Sequence, residues 1–255
     1  MELEISLVAA AAMLVVGLLA GVINTLAGGG SNLTLPVLMV LGLPADVANA
    51  TNRVAVTLHG AVATAEFHRN RRLDVAGAPA ILGYTLVGGL VGAAMASWMP
   101  VWLLKPVLLG TMLTMATILL VRPDVVAPPP GTPLVPLAES RNAKWLLLFA
   151  GVYGGFVQAG VGFVLLAALC GSMRYDLVRG NALKVLCTLA FTLVALAVFA
   201  LRGQVWWWHG LVLALGTMAG AWLGVRLALR LPHHTMKWFL FTMTVAACSV
   251  ALLTD

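Results

Sequence analysis

Two short stretches place cationic and amide side chains inside otherwise apolar sequence. ANATNR at 48–53 contains Asn49, Asn52 and Arg53, and GNALKV at 180–185 contains Asn181 and Lys184. Upstream of the first lies GVINTLAGGGS at 21–31, with Asn24 and Thr25 followed by Gly28, Gly29, Gly30 and Ser31; QAGVG at 158–162 supplies Gln158, Gly160 and Gly162. These residue types suit a small anion. Amides and cations donate to it, and a glycine-broken helix start offers free N–H groups and a dipole of roughly half a positive charge. Arg53 and Lys184 sit about 10 Å inside helix-like runs, an expensive place for charge in hydrocarbon unless it faces a cavity or a counter-ion. Asp46 and Glu66 lie only towards the ends of the first run, so a bound anion is the expected counter-charge. On that reading Arg53→Met and Lys184→Met abolish anion flux and leave the fold intact. Ser31 or Asn32 is the expected cap of the helix after the glycines, and His59, mid-run, is a candidate proton relay. Plainer roles stay open: glycines that turn a tight hairpin, and asparagines or His59 that bond neighbouring helices.

What must position these residues follows from composition. Of 255 residues, 61% are hydrophobic and 9% charged, with mean hydropathy +1.00. Too few charges are present to solvate a globule, and apolar runs recur along the whole chain, so the sequence reads as an all-α polytopic membrane protein. Runs long enough to cross a bilayer occupy 5–27, 47–67, 75–98, 101–121, 143–159, 180–201, 206–225 and 235–253. Two shorter runs, 32–43 and 163–173, could cross only a thinned path. No run alternates polar and apolar residues as a barrel strand would. Glu2 and Glu4, with no nearby Lys or Arg, do not suit a cleaved secretory leader, so the first segment is expected to be retained.

The chain repeats itself at an offset of 132 residues without a gap. Gly28 and Gly30 fall on Gly160 and Gly162, Asn49 on Asn181, Gly88 and Gly92 on Gly220 and Gly224, Pro100 on Pro232, and Lys105 on Lys237. The expected organisation is a first transmembrane repeat at 1–121, a Pro-rich cytoplasmic linker at 122–141 that leaves nothing to pack, and a second repeat at 142–255. With five segments per repeat and residue 1 outside, Arg69, Arg71, Arg72, Arg122, Arg141, Lys144, Arg174, Arg179, Arg226, Arg230 and Lys237 all fall in the cytoplasm. Only Lys105 and Arg202 fall outside, as the positive-inside rule requires. The repeats are therefore expected to be inverted, with both termini outside. The broken segments near each Gly-rich motif either span or re-enter, without changing loop sidedness.

Other features have structural readings. Gly17 with Gly21, Gly88 with Gly92, and Gly220 with Gly224 have helix-packing spacing, which also makes a homodimer plausible. Trp206, Trp207, Trp208 and His209 suit a membrane interface. Cys170, Cys187 and Cys248 lie scattered in apolar segments, without metal-ligand spacing. The net charge of +6 reflects cytoplasmic loops, not nucleic-acid binding. No GxSxG, HExxH or paired intramembrane carboxylate suggests an enzyme, and no cofactor is implied.

Three pieces together resemble the TauE/SafE family of sulfite exporters and anion permeases: residues 21–55, GGFVQAGVGFVLLAAL at 154–169, and DLVRGNALKVL at 176–186. The resemblance covers nearly the whole chain. It implies a transporter in the bacterial cytoplasmic membrane that moves sulfite, sulfonates or related anions, exporting in the name-giving cases; the expected mechanism, from the inverted units, is secondary transport by alternating access. The alternatives are an anion channel and a permease for a different small carboxylate or oxyanion. Asn24, Thr25, Ser31, Asn49, Asn52 and Arg53 match the first motif; Gln158, Asn181 and Lys184 are their second-half candidates. Val161 and Phe163 replace Gly29 and Ser31, so the second tip is expected only to close the site.

Overall fold

The computed structural model describes residues 6–26, 28–121 and 132–230, and every regular element among them is helical. In chain order these are α1 (Leu7–Leu26), α2 (Ser31–Val40), α3 (Ala45–Arg69), α4 (Ala78–Trp98), α5 (Val101–Val121), α6 (Arg141–Phe156), α7 (Val161–Leu166), a π-helical turn (Ala167–Ser172), α8 (Leu177–Leu201) and α9 (Trp207–Arg230). The expected span at 235–253, both termini, Lys237, Cys248 and linker residues 122–131 lie outside the described residues.

Among the described residues, four helices are long and apolar enough to cross a membrane: α1, α4, α8 and α9. With 25 residues, α3 has the length, but Asn49, Asn52, Arg53 and His59 interrupt its apolar sequence and all four are buried. Its polar face turns inward, where lipid never meets it. The short runs behave differently. At 10 residues, α2 covers about 15 Å, half of a hydrocarbon core of about 30 Å.

Two hairpins organise the interior. The open end of the α1–α2 pair packs Met13, Leu38 and Leu43 with Ala48 of α3 and Leu213 of α9. The α7 side of the α6–α7 pair instead packs Leu166 and Cys170 with Phe67, Leu177 and Ala228, the opposite ends of α3, α8 and α9. The hairpins thus enter from opposite ends, and their glycine tips meet. Gly28 has φ +88°, a conformation open to glycine, and any Cβ there would collide with the backbone of Gly162.

The described parts of the two stretches, 6–121 and 142–230, interlock instead of lying side by side. The most extensive packing is α1 on α9, α4 on α6, α3 on α9, α4 on α8 and α3 on α8, and each of these pairs crosses between the stretches. The glycine stripes carry it: Gly17 and Gly21 press against Gly216 and Gly220, and Gly88 against Gly151. Small residues let the helix axes approach. The stripes that made a homodimer plausible are therefore taken up within one chain.

Two local expectations are corrected. The end of the linker packs: the Val135 N–H donates to the Met173 carbonyl at 3.0 Å, Leu137 is buried, and the Ser140 hydroxyl caps α6 by accepting from the Ala143 N–H. Of the tryptophan run, Trp207 and Trp208 face outward as a belt would, whereas Trp206 is half-buried and His209 buried. Their rings pack at 5.3 Å where α9 begins.

Candidate functional site

Breaking a helix inside a membrane leaves its last carbonyls without partners, and α1 and α6 both end this way. At the end of α6, the Tyr153 carbonyl accepts from the N–H groups of Val157 and Gln158. The next three are taken by Arg53: Nη1 donates to Gly154 at 2.5 Å, and Nη2 to Gly155 at 2.9 Å and Phe156 at 3.3 Å. Asn49 Nδ2 adds a bond to the Phe156 carbonyl at 2.9 Å, and Asn49 Oδ1 accepts from Arg53. At the end of α1, Lys184 spends all three ammonium donors, on the carbonyls of Asn24 at 3.0 Å and Thr25 at 2.8 Å and on Asn181 Oδ1 at 2.8 Å. Each cation caps a broken helix of the opposite half, where the partial negative charge of the helix terminus favours it.

Asn49, Arg53, Asn181 and Lys184 thus bond helix ends and one another, and backbone carbonyl dipoles solvate the two buried cations without supplying a counter-charge. Sequence register does not reveal the arrangement, because Arg53 aligns with Val185 and Lys184 with Asn52. The two cations perform equivalent tasks from inequivalent positions.

The polar opening lies beside the first tip. A small cavity, with room for about one water, is lined by Asn24, Gly30, Ser31, Thr34, Asn52, His59 and Thr217, beside Ala20, Gly21 and Val56. Ser31 and Thr34 are one helical turn apart on α2 and point at Asn52 of α3: Asn52 Nδ2 donates to Ser31 Oγ at 3.1 Å, and Thr34 Oγ1 donates to Asn52 Oδ1 at 2.7 Å. The Ser31 hydroxyl proton stays available to a guest. The expectation that Ser31 or Asn32 caps α2 is corrected: Gly30 occupies the cap position in helical geometry with no side-chain cap bond, and Ser31 is the first helical residue. A cap needs extended backbone, and the glycine turn has already bent the chain into the helix.

His59 forms the deep wall. Its Nε2 lies 3.1 Å from the Gly21 carbonyl and 3.0 Å from Thr25 Oγ1, and its Nδ1 lies 3.4 Å from Asn24 Nδ2. The remaining expected residues fall elsewhere. Gln158 turns away and donates to Thr192 Oγ1 at 2.9 Å, from a backbone at φ +70°. Gly160, at φ +76°, starts α7. The Phe163 ring covers Gly29, so the second tip packs against the first and adds no polar group. Sequence reasoning missed Thr34 and Thr217. Thr34 had a signal, three residues after Ser31 on one helix face; Thr217 had none, because only the α3–α9 crossing brings it in.

Outside the bundle, loop 70–77 meets the turn before α8. Tyr175 Oη donates to Asp74 Oδ2 at 2.7 Å, and the Gly77 N–H donates to Asp74 Oδ1 at 3.1 Å. The tyrosine bond holds the Asp74 carboxyl below its usual range, and burial together with Asp74 raises the Tyr175 phenol.

The model of the sulfite exporter TauE/SafE family matches this chain over residues 13–250. The chain belongs to that family. Its relatives include a probable membrane transporter protein of Haemophilus influenzae, 26% identical over 84% of this chain and 83% of its own length. A probable membrane transporter protein YfcA of Escherichia coli K12 is 29% identical over 84% of this chain and 78% of its own. A third, from Sinorhizobium, is 23% identical over 95% and 92%. As a TauE/SafE member the chain is a membrane transporter and not an enzyme.

Proposed function

We propose that this transporter moves a small sulfur-containing anion, sulfite or a short sulfonate, out of the cell across the bacterial cytoplasmic membrane by alternating access. The observation that carries the reading is the cavity at the start of α2, where Asn24, Ser31, Asn52 and Thr217 surround a helix N-terminus. Neutral donors plus a helix dipole attract an anion without holding it so firmly that release fails.

The two stretches act as inverted repeats, each contributing one re-entrant hairpin, with loops 70–77 and 173–176 in the cytoplasm and both termini outside. Arg53 and Lys184 cross-link the repeats by capping each other's broken helices, so a rocking motion carries the capped ends as rigid units. The cavity then opens to one side or the other according to how the glycine tips slide at Gly28 and Gly162.

Thermal-shift titration of the purified protein with sulfite, sulfate, thiosulfate and methanesulfonate, against acetate as a carboxylate control, tests the substrate class. Sulfur oxyanions are expected to stabilise the protein and acetate is not. Asn52→Leu is expected to weaken that binding about tenfold, or about 1.4 kcal/mol, since it disperses the Ser31–Thr34 pair. A Leu variant that binds as well as wild type would remove this cavity from the transport path.

A further inference from the structure

Of the cavity-lining side chains, His59 is the one able to change charge; the other polar members, Asn24, Ser31, Thr34, Asn52 and Thr217, are neutral at every ordinary pH. Its hydrogen bonds fix which nitrogen is free. The Gly21 carbonyl only accepts, so the nitrogen facing it at 3.1 Å, Nε2, carries the hydrogen of the neutral ring. Thr25 Oγ1 shares that donor at 3.0 Å while passing its own proton to the Gly21 carbonyl. Nδ1 is therefore a bare lone pair on the cavity side, with the Asn24 amide nitrogen as its neighbour at 3.4 Å.

Among the described residues, a cation lies close to this ring: Lys184 of α8 is bonded to the carbonyls of Asn24 and Thr25, the two residues that flank His59. Among the described residues the other packed elements bring no acid to the ring: α1 presents Asn24 and Thr25, α2 presents Ser31 and Thr34, and α9 presents Thr217. Arg53, on His59's own helix, is engaged with α6. A negative charge in the cavity and a proton on Nδ1 attract one another, so by linkage the anion binds more tightly to the protonated ring.

We propose that His59 is the proton-coupling residue of this transporter, taking one proton on Nδ1 as a monovalent anion enters the cavity and returning it on release, so that anion and proton move together without net charge. The proposal rests on the transport reading above. In the loaded state the anion accepts from Nδ1–H, and the Asn24 amide turns from ring to anion. Nothing is oxidised or reduced, and the proton comes from and returns to water on whichever side is open.

The test uses the full-length protein in liposomes loaded with a pH-sensitive dye, with an imposed methanesulfonate gradient. This strong-acid anion carries no proton of its own near neutral pH. Inward flux is expected to acidify the lumen with one proton per anion, unchanged when the voltage is clamped. Whatever flux H59Q retains is expected to move no protons. Asn24→Leu, which removes the donor facing neutral Nδ1, is expected to shift the pH profile of flux to higher pH. Methanesulfonate flux without lumenal acidification overturns the proposal and leaves the transport reading standing, as does a wild-type proton-to-anion ratio in H59Q or an unshifted Asn24→Leu profile. Failure of methanesulfonate, sulfite and thiosulfate alike to cross with wild-type protein overturns both.

Discussion

The two hairpin tips share a backbone plan and differ in what they present. The first, at Gly28–Ser31, opens a polar cavity with Ser31, Thr34 and Asn52 bonded across its wall. The second, at Gln158–Phe163, closes over the first with an apolar ring and sends its one amide to Thr192. Both helix ends are capped by a cation from the opposite half. The comparison separates two jobs that look like one in the bare sequence: broken helices need capping wherever they occur, whereas the anion needs donors at only one of them.

The largest expected effect breaks the shared part. Arg53→Met leaves the Gly154 and Gly155 carbonyls buried without their donor, and should cost about 2–6 kcal/mol, at about 1–3 for each orphaned carbonyl, seen as loss of folded protein or a large drop in unfolding midpoint in detergent. Lys184→Met should behave similarly at α1. A stable Arg53→Met protein that merely fails to bind anions would return Arg53 to the binding site. Next comes the contact between the tips: Gly28→Ala combines a left-handed backbone, about 1–2 kcal/mol, with a collision against Gly162, and should lower the unfolding midpoint clearly while leaving the cavity residues unchanged in type.

Phe163→Ser sharpens the difference. It gives the second tip the first tip's side chain, and is expected to cost about 2 kcal/mol of apolar burial while adding no anion affinity in the thermal-shift titration. A gain in affinity would show the second tip to be a latent site. The smallest effect lies outside both tips, at Tyr175→Phe. The Tyr175 bond lowers the Asp74 carboxyl, so its stabilisation is fully present above the ordinary carboxylate range and fades as pH falls through the lowered value. At this exposure it should be under about 1 kcal/mol. Unfolding midpoints of wild type and Tyr175→Phe should differ slightly at neutral pH and converge in acid.

Much of the fold is legible in the residues alone. The helical class follows from long apolar runs that only helices can satisfy in hydrocarbon, and the tips follow from Gly28, Gly29 and Gly30 in one such run and Gly160 and Gly162 in the other. Gly88 and Gly92 mark a packing surface, and α4 uses it against α6. Arg53 and Lys184 are recognisable as buried from their place in apolar runs, and both are, but their partners cannot be read. A backbone carbonyl has no letter in the sequence: Arg53 meets residues about a hundred positions away, and their oxygens look the same whatever their side chains. Thr217 stays invisible for a related reason, because a lone threonine on an apolar helix acquires meaning only from the helix crossing beside it.

The sequence by itself determined that the chain is a bundle of apolar helices broken at two glycine-rich points, with a few polar groups that lipid cannot accept. Only the tertiary structure decided which of those groups cap helix ends and which face a cavity. Burial favours partners for polar groups, but the choice among partners is made by how α1, α3, α6 and α8 cross, and those crossings depend on contacts between residues far apart along the chain.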